Sequence, residues 1–84
     1  MKQIVWSDHA VLKLEILKQH GFEIDREFVN HAVMSPERVD HGYKGRLVAQ
    51  SSLDEARVLR VVYEASSSEI VIVTFYPARR DRYA

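Results

Sequence analysis

Two apolar runs decide the fold: Arg57-Val-Leu-Arg-Val-Val-Tyr-Glu64 and, after a polar loop, Glu69-Ile-Val-Ile-Val-Thr-Phe-Tyr76. Both are rich in β-branched and aromatic residues, which favours strands. The loop Ala65–Ser68 is short enough for a hairpin, so we predict antiparallel strands over 57–64 and 69–76. Neither run alternates apolar with polar residues, so both faces of this hairpin carry apolar side chains.

The register of this hairpin decides which side chains share a face. If Glu64 pairs with Glu69, alternation divides the side chains into two sets. One set is Val58, Arg60, Val62, Val71, Val73 and Phe75, and the other is Leu59, Val61, Tyr63, Ile70, Ile72 and Thr74. Either set fits the core. One helical layer covers one face only, so the remaining face is expected to be a ligand or partner platform, with packing in a homodimer as the alternative.

Two more strands are expected before this hairpin, over 37–42 and 46–52. The connections Gly42–Gly45 and Asp54–Ala56 are again hairpin-short, which predicts an antiparallel meander of four strands.

Two helices are expected before the sheet. Ser7 can cap a helix over roughly 8–20 that Gly21 ends, and Asp25 can cap a second helix that stops at Ser35-Pro36. A short extended segment, 3–6, precedes them. The predicted fold is therefore α+β, with a two-helix hairpin packed on one face of a four-stranded antiparallel sheet.

Composition narrows the function classes. The 84 residues (1–84) fit one domain, and 12 basic side chains balance 12 acidic ones. With no cysteine, disulfides, thiolate catalysis and Cys-based zinc sites are excluded. The N-terminal apolar residues are interrupted by charges, so we expect no membrane span or secretory signal and a cytoplasmic protein.

Most basic residues lie in the second half of the chain. They are Arg38, Lys44, Arg46, Arg57, Arg60, Arg79, Arg80 and Arg82. Arginine presents a fork of donors to phosphate oxygens, which suits phosphate or nucleic-acid contact, although a solvated set of surface ion pairs is the alternative. Arg60 stands apart because it lies between valines in a predicted central strand, so it should face a carboxylate or a functional cleft.

The order of these features carries a resemblance. Leu59-Arg60-Val61-Val62-Tyr63-Glu64, a polar turn, the strand 70–76 and then Arg79-Arg80-Asp81-Arg82-Tyr83 resemble the C-terminal half of the RelE/ParE-like toxin superfamily. The front half resembles a narrower BrnT-like family, much of it of unknown function. It contributes Ser7-Asp8-His9-Ala10 opening a helix, Ser35-Pro36-Glu37-Arg38-Val39 after the second helix, and the hairpin 42–46.

The resemblance implies a toxin of a type II toxin–antitoxin pair that cleaves messenger RNA, in some relatives on the ribosome, without a metal. Arg60 with Arg79, Arg80 or Arg82 matches the phosphate-stabilising arginines, and Tyr83 matches a tyrosine that stacks on or protonates the substrate. Lys44 or Arg46 takes the place of lysines on an earlier strand. The partners it implies are RNA and a small antitoxin that covers the exposed sheet face.

RNA cleavage of this kind also needs a general base. His9 is the candidate because an imidazole both accepts and donates protons near neutral pH, and capping and packing at the helix start is its structural alternative. Four histidines spaced ten or more residues apart offer no metal-ligand pair, so we expect no metal and no cofactor. The aromatic residues Trp6, Tyr43, Tyr63 and Tyr76 can stack bases or fill the core.

Two other classes of function fit the same sequence. One is a non-catalytic module of toxin fold that binds a protein target or nucleic acid, because fold alone does not decide function. The other is a dimeric binder of a small ligand. The position of Arg79 relative to Arg60 separates these readings, since a composite phosphate site needs both arginines on one face.

Overall fold

The computed structural model describes residues 2–83. In these residues the chain forms β1 (Gln3–Trp6), α1 (Asp8–Gln19), α2 (Arg26–Met34), β2 (Arg38–His41), β3 (Leu47–Ser52), β4 (Arg57–Ala65) and β5 (Glu69–Arg79). Short 3₁₀ turns lie at Tyr43–Gly45 and Arg80–Arg82. No helix within 2–83 is long and apolar enough to cross a membrane.

Both predicted helix starts are confirmed. The Ser7 hydroxyl accepts a hydrogen bond from the backbone N–H of Ala10 at 3.1 Å, and the Asp25 carboxylate accepts one from Phe28 at 2.8 Å. These bonds satisfy amides that a helix leaves unpaired in its first turn. Gly21 follows α1 with φ +87°, a conformation that favours glycine at a helix end.

The predicted four-stranded antiparallel meander is wrong. The sheet has five strands in the order β1-β5-β4-β3-β2, and β1 pairs with β5 in parallel. The segment 3–6, read from sequence only as an extended entry, is an edge strand. Its partner begins at Glu69, opposite Gln3, so this pairing is non-local and no hairpin turn announces it.

The predicted pairing of Glu64 with Glu69 is also wrong, because Glu64 lies opposite Val71. Further along, Tyr63 is opposite Ile72 but Val62 is opposite Thr74, which leaves Val73 as the extra residue of a β-bulge. A shift of one residue exchanges the two faces. Beyond the bulge, Phe75 therefore shares a face with Val61, and Thr74 lies on the face of Arg60.

The helices cover the face that carries Leu59, Val61 and Tyr63. Phe75 is fully buried there and the indole of Trp6 meets it edge-on, with ring centroids 5.5 Å apart. Strand and helix residues together form one core: Ala10, Leu14, Leu17, Ile24, Val29, Ala32, Val33, Ala49, Leu59, Val61, Tyr63, Ile70, Ile72 and Phe75.

The opposite face carries Arg60 and is only partly open. Val48 and Val58 on this face are buried although no helix covers them. The chain's own 42–46 turn and its segment 80–83 fold toward the face, so the exposed apolar platform expected from the sequence is smaller than predicted. We refer to the side of β2–β5 opposite the helices as the arginine face.

Candidate functional site on the arginine face

Arg60 is the centre of the arginine face and is 6% exposed. Its Nη1 donates to Asp40 Oδ2 at 3.2 Å and to Gln50 Oε1, and its Nε donates to the Tyr76 hydroxyl at 3.3 Å. The guanidinium lies 4.0 Å from the centroid of the Tyr83 ring, a cation–π contact. A charge that is costly to bury is therefore paired, hydrogen-bonded and covered by an aromatic ring.

Arg38 connects this cluster to the segment after β5. Its Nε donates to Asp40 Oδ1 at 2.9 Å and its Nη1 donates to the Tyr83 carbonyl oxygen at 2.7 Å. The amide of Gln50 lies 3.4 Å from the same carbonyl. Three residues from three strands thus hold Tyr83 over the sheet, and Arg38 is more exposed than Arg60, with 44% of its side chain reaching solvent.

Asp40 balances the two arginines. The pKa of Asp40 is held below its ordinary value, chiefly by the hydrogen bond from Arg38. The hydrogen bond from Arg60 and the charges of both arginines lower it as well, while partial desolvation of the carboxylate raises it. One carboxylate therefore faces two guanidinium groups. The cluster keeps a net positive charge, which suits an anionic ligand.

His9 lies at the β5 border of the same face. Its Nε2 is 3.0 Å from the hydroxyl of Thr74, which the bulge places on the side of Arg60. Thr74 and Tyr76 are two residues apart on β5, so their side chains point the same way, and the Tyr76 hydroxyl in turn contacts Arg60. A row of polar side chains thus links His9 to Arg60, and the sequence did not predict Thr74 in this row.

Lys44 and Arg46 lie at the far end of the face, in and after the turn between β2 and β3. Arg46 Nε is 3.7 Å from Glu64 Oε1, in a pair whose two side chains are both well exposed. Alternation along β3 places Arg46, Val48 and Gln50 on one side of the sheet. These two basic residues therefore border the arginine face without contacting Arg60.

Arg79 does not join Arg60. It pairs with Arg57 at the end of the sheet, three residues beyond the Tyr76 that pairs with Arg60, so alternation turns it toward the helix side. Arg57 confirms that side, because its guanidinium lies 5.2 Å from the ring centroid of Phe22 beside the core. The side chain of Arg79 is 77% exposed and is 3.6 Å from Asp81.

Arg80 and Arg82 also remain apart from the cluster. Arg80 donates to the backbone carbonyls of Asp54 and Glu55 at 2.8 and 3.2 Å, which ties the end of β5 to the loop before β4. Arg82 is exposed in the turn that precedes Tyr83. Of the C-terminal set singled out from the sequence, Tyr83 alone contacts Arg60 in the described chain.

Sequence reasoning missed the roles of Arg38, Asp40 and Gln50. Arg38 and Asp40 are spaced by two in a short strand, which places them on one face, but only the register of β2 on β3 shows that this face is the one of Arg60. Gln50 lies directly opposite Arg60 on β3. The available signal was a glutamine in the predicted strand that precedes the strand of Arg60. Only the register of the two strands shows that the two side chains are neighbours.

Metal ligands and the cavity beside α2 were the other candidates for chemistry within 2–83. Within 2–83 no group of three or more His, Asp or Glu side chains is placed to hold a metal ion. A cavity of about 280 Å³ lies between α2 and β3, lined in part by His31, Glu37 and Ser52. Glu37 there accepts hydrogen bonds from the backbone N–H and hydroxyl of Ser52, so this carboxylate is occupied with joining the start of β2 to the end of β3.

Comparisons with known proteins add no assignment: a scan of family models, a search of curated proteins and a search of solved structures each return no match. The chemistry of the site therefore rests on its own geometry. A fixed guanidinium, a second more exposed guanidinium, an aromatic ring and an imidazole on one sheet face can bind a phosphate, stack a base and move a proton.

Proposed function

We propose that this protein is the toxin of a type II toxin–antitoxin pair and that its arginine face binds and cleaves single-stranded messenger RNA. The contact between Arg60 and Tyr83 is the observation that carries the proposal. These two residues, 23 positions apart in the chain, are the arginine and the tyrosine that the resemblance pairs in one site. The guanidinium lies 4.0 Å from the ring centroid, which supports a site where one bound RNA segment contacts both residues.

RNA cleavage without a metal needs three chemical functions. A base removes the proton of the 2′-hydroxyl, the O2′–P bond forms while the P–O5′ bond breaks, and the leaving 5′-oxygen takes up a proton. Cations stabilise the charge that accumulates on the phosphate oxygens. The products are a 2′,3′-cyclic phosphate and a 5′-hydroxyl end.

The residues of the arginine face match these functions. Arg60 and Arg38 supply the cations for the phosphate, and Tyr83 supplies the ring for an adjacent base. His9, held by Thr74, is the base in this scheme. The antitoxin of the pair would cover the same face in the cytoplasm and neutralise its arginines with carboxylates.

Induction in a bacterial host tests the proposal. The variants are Arg60→Lys, which keeps the charge but loses the fork, His9→Gln, and Leu12→Ser, an exposed substitution on α1 as the matched control. Primer extension within minutes of induction should show new 5′ ends with wild type and Leu12→Ser and few with the other two. Purified protein should leave cyclic phosphate ends on a test RNA.

A non-catalytic toxin-fold module is the second candidate, and two observations favour it. The charge of Arg60 is already shared with Asp40 and Gln50, and Arg79 lies on the other side of the sheet, so the phosphate site has fewer free cations than expected. Arrested growth with intact messages, abolished by Arg60→Lys, would establish this candidate. Normal growth with intact messages would contradict both.

A further inference from the structure

Tyr43 is the most exposed of the large hydrophobic side chains in the described chain, at 81%. The other aromatic residues that the sequence left open between core and base stacking have structural contacts. Tyr63 is buried, Trp6 donates to Asn30 and packs on Phe75, and Tyr76 accepts from Arg60. Of these four aromatic residues, Tyr43 has the ring most open to solvent.

The turn that presents Tyr43 is fixed and strained. Lys44 has φ 58° and is the one non-glycine residue in 2–83 with a positive φ, and Gly45 follows with φ 77°. The backbone closes with hydrogen bonds from Gly42 to Arg46 at 2.7 Å and from Arg46 to Tyr43 at 3.3 Å. A lysine in the left-handed region costs conformational energy, and such strain is concentrated at binding and catalytic sites.

This turn belongs to the arginine face. A β-carbon added to Gly42 would lie 3.2 Å from a methyl group of Val48, whose side chain is on the same side as Arg60. Arg46 follows the turn on that side as well. Gln50 lies four residues further along β3, a distance of about 14 Å at the usual rise per residue, which a few nucleotides of single-stranded RNA can bridge.

The charges around Tyr43 suit a nucleotide. Lys44 Nζ lies 5.6 Å from the centroid of the Tyr43 ring, so a cation stands beside the stacking surface. Arg46 adds a second cation that Glu64 partly neutralises. The residues beside Tyr43 in the turn are Gly42, Lys44 and Gly45, so the turn itself brings a cation to the ring and no second large apolar side chain.

We propose that Tyr43 is a second base-stacking residue for single-stranded RNA, at the opposite end of the arginine face from Tyr83, with Lys44 binding the adjoining phosphate. The inference rests on the proposed function and defines its substrate as an unpaired segment long enough to reach both rings. A flat ring stacks any base, so Tyr43 raises affinity for single strands without selecting sequence.

Fluorescence anisotropy with a labelled single-stranded oligoribonucleotide tests this. Tyr43→Phe keeps the ring and should bind within about twofold of wild type, whereas Tyr43→Ser should bind about 5- to 150-fold more weakly. Leu12→Ser, outside the arginine face, should equal wild type. The ring is exposed, so these substitutions should leave the fold intact, which circular dichroism checks.

The dependence of binding on salt separates stacking from charge. Loss of the Tyr43 ring should leave the slope of log Kd against log salt unchanged, while Lys44→Ala should reduce it by about 0.7, the value for one phosphate contact on a single strand. The loss on Tyr43→Ser should be smaller for an oligonucleotide too short to span the face than for one that reaches both rings.

RNA binding by the Tyr43 and Arg60 variants distinguishes the role of Tyr43 from the proposed function. If Arg60→Lys weakens RNA binding and Tyr43→Ser does not, Tyr43 is not a stacking residue and the proposed function stands. If wild type binds no RNA at any salt concentration, both fail. If Tyr43→Ser keeps its RNA affinity but releases a protein that copurifies with wild type, Tyr43 is a protein contact and the inference is overturned.

Discussion

Arg60 and Asp40 meet at 3.2 Å although their strands, β4 and β2, are separated by β3. The long Arg60 side chain reaches past Gln50, which lies opposite it on the strand between them. β2 is a four-residue edge strand, and edge strands of this length have few backbone bonds to hold them. The ion pair therefore anchors the edge of the sheet to its centre.

Acid should weaken this anchor. The hydrogen bonds from Arg38 and Arg60 lower the pKa of Asp40 from 3.8, and those from Ser52 lower the pKa of Glu37 from 4.5. Such a carboxyl stabilises the native state at pH values above its pKa in the unfolded chain. This contribution is lost as the pH falls through its lower pKa in the folded protein. Urea unfolding from pH 7 to pH 3 should show stability falling below about pH 4.5.

The variants Asp40→Asn and Glu37→Gln identify these two groups as the source of the acid dependence. Each should lower stability at pH 7 and flatten the fall at acid pH, because the substituted side chain no longer takes up a proton. Asp81→Asn is the matched control, with a carboxylate that is 73% exposed. An acid slope unchanged in both variants would contradict the assignment.

Loss of Arg60 should destabilise the fold by about 2 kcal/mol, because Arg60→Leu leaves Gln50 and Tyr76 without their buried partner and Asp40 without one of its cations. Arg60→Lys keeps the charge but lacks the planar fork, and should lose about half as much. Urea unfolding at pH 7 measures both. Equal stability of Arg60→Leu and wild type would show that the cluster serves function alone.

Local signals in the sequence were enough to place most of the elements. Both helices begin where Ser7 and Asp25 predict, and the four strands of the second half lie where the runs of β-branched and aromatic residues predict them. Arg60 was also identified, because a charge among valines is conspicuous. These features depend on neighbours a few residues apart, which is the range over which periodicity and capping act.

The features that were missed depend on pairing between distant residues. The parallel partner of β1 begins at Glu69, and nothing in the segment 3–6 specifies that partner. The bulge at Val73 exchanges Thr74 and Phe75 between faces, which a uniform alternation cannot reveal. The resemblance placed Arg79 with Arg60 in the expected phosphate site, and the register beyond the bulge turns Arg79 to the other face.

Ser7→Ala should destabilise the protein by about 1–2 kcal/mol, at the upper end for a helix cap. The hydroxyl accepts from Ala10 N–H and also donates to the Val73 carbonyl at 2.9 Å, so one side chain joins α1 to the bulge of β5. Ser67→Ala, in the exposed loop between β4 and β5, is the control. Thermal and urea unfolding should agree, and a loss no larger than that of Ser67→Ala would show that neither bond stabilises the fold.

Phe75→Ala should cost about 4 kcal/mol, because the ring is fully buried between Trp6 and Val61. Val73→Ala should cost far less, since the bulge leaves this side chain partly exposed. Urea unfolding of the two variants tests the placement of the bulge. Similar losses in both would mean that β5 runs without the register shift and that Phe75 faces away from the core.

We expect Arg38 to contribute to RNA binding and Arg79, which the sequence placed in the site, to contribute little. Arg38 lies in the Arg60 cluster and donates to the Tyr83 carbonyl, whereas Arg79 is directed to the helix side and pairs with Asp81. Arg38→Ala should weaken binding of a single-stranded oligoribonucleotide and reduce the salt slope by about 0.7, with an added loss from the released Tyr83. Arg79→Ala removes an equal charge from the other side of the sheet, so it is the matched control and should bind close to wild type. If instead Arg79→Ala weakens binding as much as Arg38→Ala does, RNA follows the end of the sheet rather than the arginine face, and the proposed site would have to be moved there.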